Sequence, residues 1–187
     1  DGHVVNVNQG HADVGGGSLD ISGSYDVDQQ RPQFSFTAHD IPLDMASPLL
    51  SVPMSGTADA AGHIDGQNWD LAFSAKDGQI KGMLFDSING SAHGQGKQIE
   101  IPALYWRRGE GLHTLTGRAD LDSRTVDASL TTSHIRVEQL LPLVGKEDLP
   151  LTGWADNTVT IKGTLDNLSA AGSFRLTSGS YAGYLYK

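Results

Sequence analysis

At 187 residues, with 13 Lys plus Arg against 22 Asp plus Glu and a net charge of −9, the chain is too acidic to hold a nucleic-acid backbone or an anionic bilayer by charge. Cys is absent, which excludes a disulfide frame and any thiolate metal site and suits an oxidising compartment. No run of about 18 apolar residues offers a membrane-spanning helix, and the opening on Asp1 without a leader pattern reads as a piece of a longer or processed protein.

In chain order, alternation with a period of two dominates. Leu19, Ile21, Gly23, Tyr25 and Val27 alternate with Ser18, Asp20, Ser22, Ser24, Asp26 and Asp28, the pattern of a half-buried strand. Phe34, Phe36 and Ala38 repeat it, followed by Trp69, Leu71, Phe73 and Ala75. Further on come Val126, Ala128 and Leu130, then Val159 and Ile161, and last Phe174 and Leu176. Gly, 23 residues in all, is richer than its usual share of roughly 7% and falls between these runs. Turn signals are expected at Lys76-Asp77-Gly78, Asn89-Gly90, Arg108-Gly109-Glu110-Gly111 and Ser178-Gly179. Together these predict roughly a dozen strands at hairpin spacing and an antiparallel all-β protein.

Two leucine-rich, proline-containing stretches interrupt the alternation, at 41–56 and 135–153, and they are related. Shifted by 94 positions, residues 17–50 align without a gap: Gly17, Gly23, Asp26, Asp28, Ile41 and Pro48 meet Gly111, Gly117, Asp120, Asp122, Ile135 and Pro142. After a three-residue insertion the shift is 97, and Pro53, Gly56 and Asp59 meet Pro150, Gly153 and Asp156. The expectation is an internal repeat of about 94 residues, one copy at about 17–110 and an incomplete one at about 111–187. Each copy reads as strand, turn, strand, short helical turn, glycine-led strand. In the second, Val137, Leu140, Leu141 and Val144 share a helical face with Glu138 and Lys146 turned away; in the first, Leu43, Met45, Leu49 and Leu50 serve the same purpose. Both are expected to shelter one end of a sheet, being too short and too poor in basic residues for a membrane anchor.

No catalytic constellation emerges. Seven histidines, His3, His11, His39, His63, His93, His113 and His134, lack metal-ligand spacing. Gly90 to Lys97 has one residue too many for a phosphate loop, with Gln98 where a hydroxyl should hold magnesium, and reads as a glycine-rich hairpin end. Gly179-Ser180-Tyr181-Ala182-Gly183 places its Ser wrongly for a nucleophile elbow. The pairs Asp26/Asp28 and Asp120/Asp122 read as polar residues beside turns, not a calcium loop, and Trp106-Arg107-Arg108 reads as a strand end with solvated arginines. No enzyme activity, metal or cofactor is expected. A polysaccharide-acting enzyme would need two carboxylates converging about 5–9 Å apart.

The strands "LDISGSYDVD" and "LTGRADLD", the segment "HIRVEQLLPLV", the return "LPLTGWADNTVTIKGTLDN" and the closing "AAGSFRLTSGSY" resemble the AsmA-like superfamily, and within it the TamB group, over roughly Gly17 to Ser180. The resemblance implies an antiparallel sheet curled into an open β-taco or β-groove with short helical insertions. It also implies a protein anchored in the inner membrane of a diderm bacterium and crossing the periplasm, which moves phospholipid or supports outer-membrane protein assembly. The partners implied are phospholipid acyl chains and, through parts outside this chain, an outer-membrane β-barrel protein. In such a groove Phe34, Phe36, Leu71, Phe73, Val126, Leu130, Val159, Ile161, Phe174 and Leu176 form the lipid-facing lining. The alternative is a structural or adhesive β-solenoid whose same residues fill a sealed core and whose surface binds carbohydrate or protein.

Overall fold

The computed structural model describes residues 3–139, 141 and 148–186. They form one antiparallel sheet of twelve strands in sequence order, not closed into a barrel. The strands are β1 (Val4–Val14), β2 (Gly17–Asp26), β3 (Arg31–Pro42), β4 (Met54–Asp65), β5 (Asn68–Ile80) and β6 (Met83–Gln95). They continue as β7 (Gln98–Arg108), β8 (Gly111–Asp120), β9 (Thr125–Arg136), β10 (Leu151–Thr164), β11 (Asn167–Tyr181) and β12 (Tyr184–Tyr186). The all-β, antiparallel expectation holds, and every strand pairs with its neighbours in sequence.

Three of the four turn signals lie inside strands. Asp77-Gly78 is within β5, Asn89-Gly90 within β6 and Ser178-Gly179 within β11; only Gly109-Glu110 is a hairpin tip. Asp77 and Ser178 hold φ near 49°, a left-handed backbone that bends a long strand without ending it. The stretch Gly90 to Lys97 is likewise mostly strand, with its tip at Gly96-Lys97.

Short helical turns follow β3, at Leu43–Ala46 and Ser47–Leu50, and β9, at Val137–Gln139. Leu43 packs on a cluster of Ala75, Phe85 and Ile88, while Met45 is 48% exposed and covers little. Val137 is buried among Ile135 and Ala155, and Leu141 is buried as well. Leu140, Val144 and Lys146, and the side chains of Leu49 and Leu50, lie outside the described residues. Glu138 is not wholly turned away: its Oε2 is buried without a partner among the described residues, while Oε1 stands 3.8 Å from Arg136.

The bounds of β1, β2 and β3 recur 94 positions later in β7, β8 and β9. Irregularities recur with them: the pairing slips between Val7 and Gly10 in β1 and between Ile101 and Leu104 in β7. Asp40 and His134 both take positive φ, and each donates its N–H to a carboxylate, Asp59 Oδ1 at 3.0 Å and Asp156 Oδ1 at 2.9 Å.

Candidate functional site

In an antiparallel pair, residues directly opposite each other share a face, so the pairing register traces each face across the sheet. Phe34 faces Ile64, followed in turn by Trp69, Gly94, Ile99, Ala119 and Val126 on successive strands. A second row carries Phe36, Gly62 and Leu71, and farther along Ala128 and Ile161. A third runs Ala38, Ala60, Phe73, Gly90, Leu104, Leu115, Leu130 and Val159. Phe174 stands opposite Asn157 and Leu176 opposite Ala155, two positions apart along β11. Every residue expected on the lipid-facing side therefore lies on one face.

That face is apolar and largely without a second layer. Among the described residues, the helical turns after β3 and β9 are the elements that touch it besides sheet neighbours, the first on β3, β4 and the Ala75, Phe85 and Ile88 cluster of β5 and β6, the second on β10. The chain exposes 12020 Å², against roughly 8,700 Å² for a compact monomer of its 19.9 kDa mass. The excess of about 3,300 Å² fits a single-layer sheet, which leaves much of both faces to solvent. Phe174 is 52% exposed and Leu168 48%, while Phe85, beneath the first helical turn, is 3% exposed.

Between the two covers, on β5 to β9, the apolar face encloses a cavity of about 310 Å³. Among the described residues it is lined by Ile80, Met83, Phe85 and Ile88 from β5 and β6, Leu104 and Trp106 from β7, His113 and Leu115 from β8, and Leu130 from β9. Of the expected lining only Leu130 reaches it. Trp106 is here a wall of the cavity, not an idle strand end: its ring lies 5.0 Å from that of His113, and its Nε1 is buried without a hydrogen-bond partner among the described residues. Burial pushes the His113 imidazole below its ordinary pKa, and its Nδ1 lies 2.9 Å from Thr132 Oγ1. The alternating Leu104/Trp106 and His113/Leu115 pairs were the available signal; Pro102 and the slip between Ile101 and Leu104 obscured it.

The opposite face is polar. His63, Asp70, His93, Glu100, Arg118, Asp127 and Lys162 form one cross-strand row. Lys162 Nζ and Arg118 Nη2 flank Asp127 at 3.3 and 3.5 Å. An open hollow of about 870 Å³ follows this row, in which His93 stands 3.5 Å from Glu100 and Arg118 3.5 Å from Asp127. Among the described residues no three His, Asp or Glu side chains converge as a metal set. The Asp pairs serve turns: Asp26 Oδ1 accepts the Gln29 N–H, and Asp120 Oδ1 accepts those of Asp122 and Ser123, each at 2.9 Å.

Compared with protein-family models, curated proteins and solved structures, the chain matched none.

Proposed function

We propose that this chain is a lipid-bearing segment of a bridge across the periplasm of a diderm bacterium, its sheet curled into an open groove that carries phospholipid acyl chains. The observation behind this reading is the continuous apolar face, traced by register through the central strands and, among the described residues, largely left without a second layer. Each methylene moved from water onto such a face gains about 0.8 kcal/mol, so a long acyl chain gains on the order of 10 kcal/mol before ordering costs. Such contacts have no preferred direction along the strand rows, so a tail can shift with little change in free energy. Support for outer-membrane protein assembly would draw on the same surface through parts outside this chain.

The matching bounds of β1–β3 and β7–β9 support a duplicated origin for the groove. On this reading the unit is six strands, 4–95 and 98–186, and begins earlier than the sequence match at Gly17 suggested. The alternative of a sealed adhesive β-solenoid is disfavoured, because its core residues would be closed off, whereas Phe174 is 52% exposed.

The test is lipid capture. Protein purified from a diderm host is extracted and its lipids identified by mass spectrometry, beside Phe36→Asp and Phe73→Asp variants. Phospholipid with the parent protein, lost from variants whose β circular dichroism persists, supports the groove. A parent protein that carries no lipid and takes none from phospholipid vesicles ends the reading.

A further inference from the structure

We propose that His113 makes the hold on lipid depend on pH: the neutral imidazole belongs to the apolar lining, whereas the protonated ring is a cation that a hydrocarbon tail avoids, so lipid is released as pH falls. This rests on the apolar face being lipid-bearing and adds the condition under which that face lets go.

Beside the rows traced above, a further one crosses the apolar face as Ala75, Ile88, Trp106, His113, Thr132 and Asn157. In these rows, from β4 to β10, His113 is the one ionisable side chain. It borders the cavity of about 310 Å³ beside Leu115 and Leu130, so a tail resting there meets the ring. Trp106 faces it from β7 and Thr132 from β9, the latter with Oγ1 2.9 Å from Nδ1. The charged and ionisable groups at the same end of the sheet, Arg108, Glu110, His134 and Arg136, border a separate hollow with Trp154. Burial is what holds the imidazole below its ordinary pKa, with no contribution from a neighbouring charge.

A neutral imidazole can share its hydrogen bond with the Thr132 hydroxyl in either tautomer, because a hydroxyl both donates and accepts. Protonation adds a charge and a second donor. The ring is half-buried, so water reaches it in the lipid-free protein. A tail laid over it removes that water, and a cation so covered is unfavourable. The lipid-bound protein therefore binds fewer protons than the free one. Affinity falls as pH falls through the free imidazole's pKa and is flat above it.

Calorimetric titration with lauroyl lysophosphatidylcholine below its micellar concentration, at about pH 8 and about pH 5.5, tests this. The charge of that zwitterion does not change between the two. The parent protein is expected to bind about twofold to tenfold more weakly at the lower pH, one linked proton being worth at most about tenfold per pH unit. His113→Phe and His113→Gln, which cannot titrate there, should each bind equally at both. Nuclear magnetic resonance titration of the His113 ring in the parent protein should show its midpoint move to lower pH when lipid is added.

Equal affinity of the parent protein at the two pH values overturns the role of His113 and leaves the lipid-bearing face standing. So do variants that keep the parent's pH dependence, which would place it on other groups. Should both variants fail to fold or to bind, the ring's midpoint decides: unmoved by lipid, it overturns the inference, and lowered, it supports it. Binding by the parent protein at neither pH removes the lipid-bearing reading itself, and this inference with it.

Discussion

The Phe36 ring occupies the space a side chain at Gly62 would need: a β-carbon built there falls 2.6 Å from Phe36 Cε1 and 2.8 Å from the Asp70 carbonyl oxygen. Trp69 stands in the same relation to Gly94, at 2.6 Å from its Cε2. Both pairs are direct cross-strand partners on the apolar face. Glycine costs backbone entropy within a strand, and an aromatic ring laid over it recovers contact. Gly62→Ala must push the ring aside, so it should destabilise the fold by about 1–3 kcal/mol, measured by urea unfolding. An unchanged midpoint would mean that the ring does not lie there.

The two aromatic residues Phe73 and Phe174 separate packing from mere placement. Phe73 packs against the Ala75, Phe85 and Ile88 cluster, whereas Phe174 is 52% exposed. Phe73→Ala should cost about 3–4 kcal/mol. At Phe174 the same change should cost less than about 1 kcal/mol. Equal losses in chemical denaturation would show that Phe174 is covered in solution.

The helical turn after β9 is expected to be a structural cover. Val137 is 2% exposed, so Val137→Ala should cost about 2–3 kcal/mol through lost burial and the cavity it leaves. Met45, at 48% exposure in the corresponding turn after β3, should tolerate Ala within about 0.5 kcal/mol. Thermal melts of the two variants give the comparison directly.

Asp59 links stability to pH. The Asp40 backbone N–H, with help from Lys76 and His39, holds its carboxyl below the ordinary value of 3.8. A carboxyl whose folded pKa is depressed contributes stability above its unfolded pKa and loses it as pH falls through the folded one. The parent protein should thus lose stability below about pH 4, and Asp59→Asn should flatten that acid limb. Melting temperatures measured from about pH 6 down to about pH 2 decide it; parallel curves would reject the role.

How far this was legible in the sequence depended on whether the signal was local. Alternation around Phe34, Phe73, Val126 and Val159 declared both strand and face, because side chains two apart must point the same way. Glycine misleads: Asn89-Gly90 reads as a turn, though Gly90 sits inside β6 where a β-carbon would meet the Ala103 carbonyl oxygen at 2.8 Å. The likeness of β1 to β7 is invisible in the sequence because "VVNVNQGHADV" and "QIEIPALYWRR" share bounds and a pairing slip but no residue in register. The cavity at Trp106 escaped because it is assembled from five strands, none of which announces it alone.

Because each strand bonds only to the one written before or after it, the molecule is held together like a zip, with no long-range closure to be lost at a single step. Most of its contacts span one hairpin, a pattern that favours fast assembly from any starting hairpin outward. Amide hydrogens should accordingly exchange in a gradient, earliest in β1 and β12 and slowest around β6 to β9. Mechanical pulling from the termini should peel strands away singly, while the remainder keeps its shape.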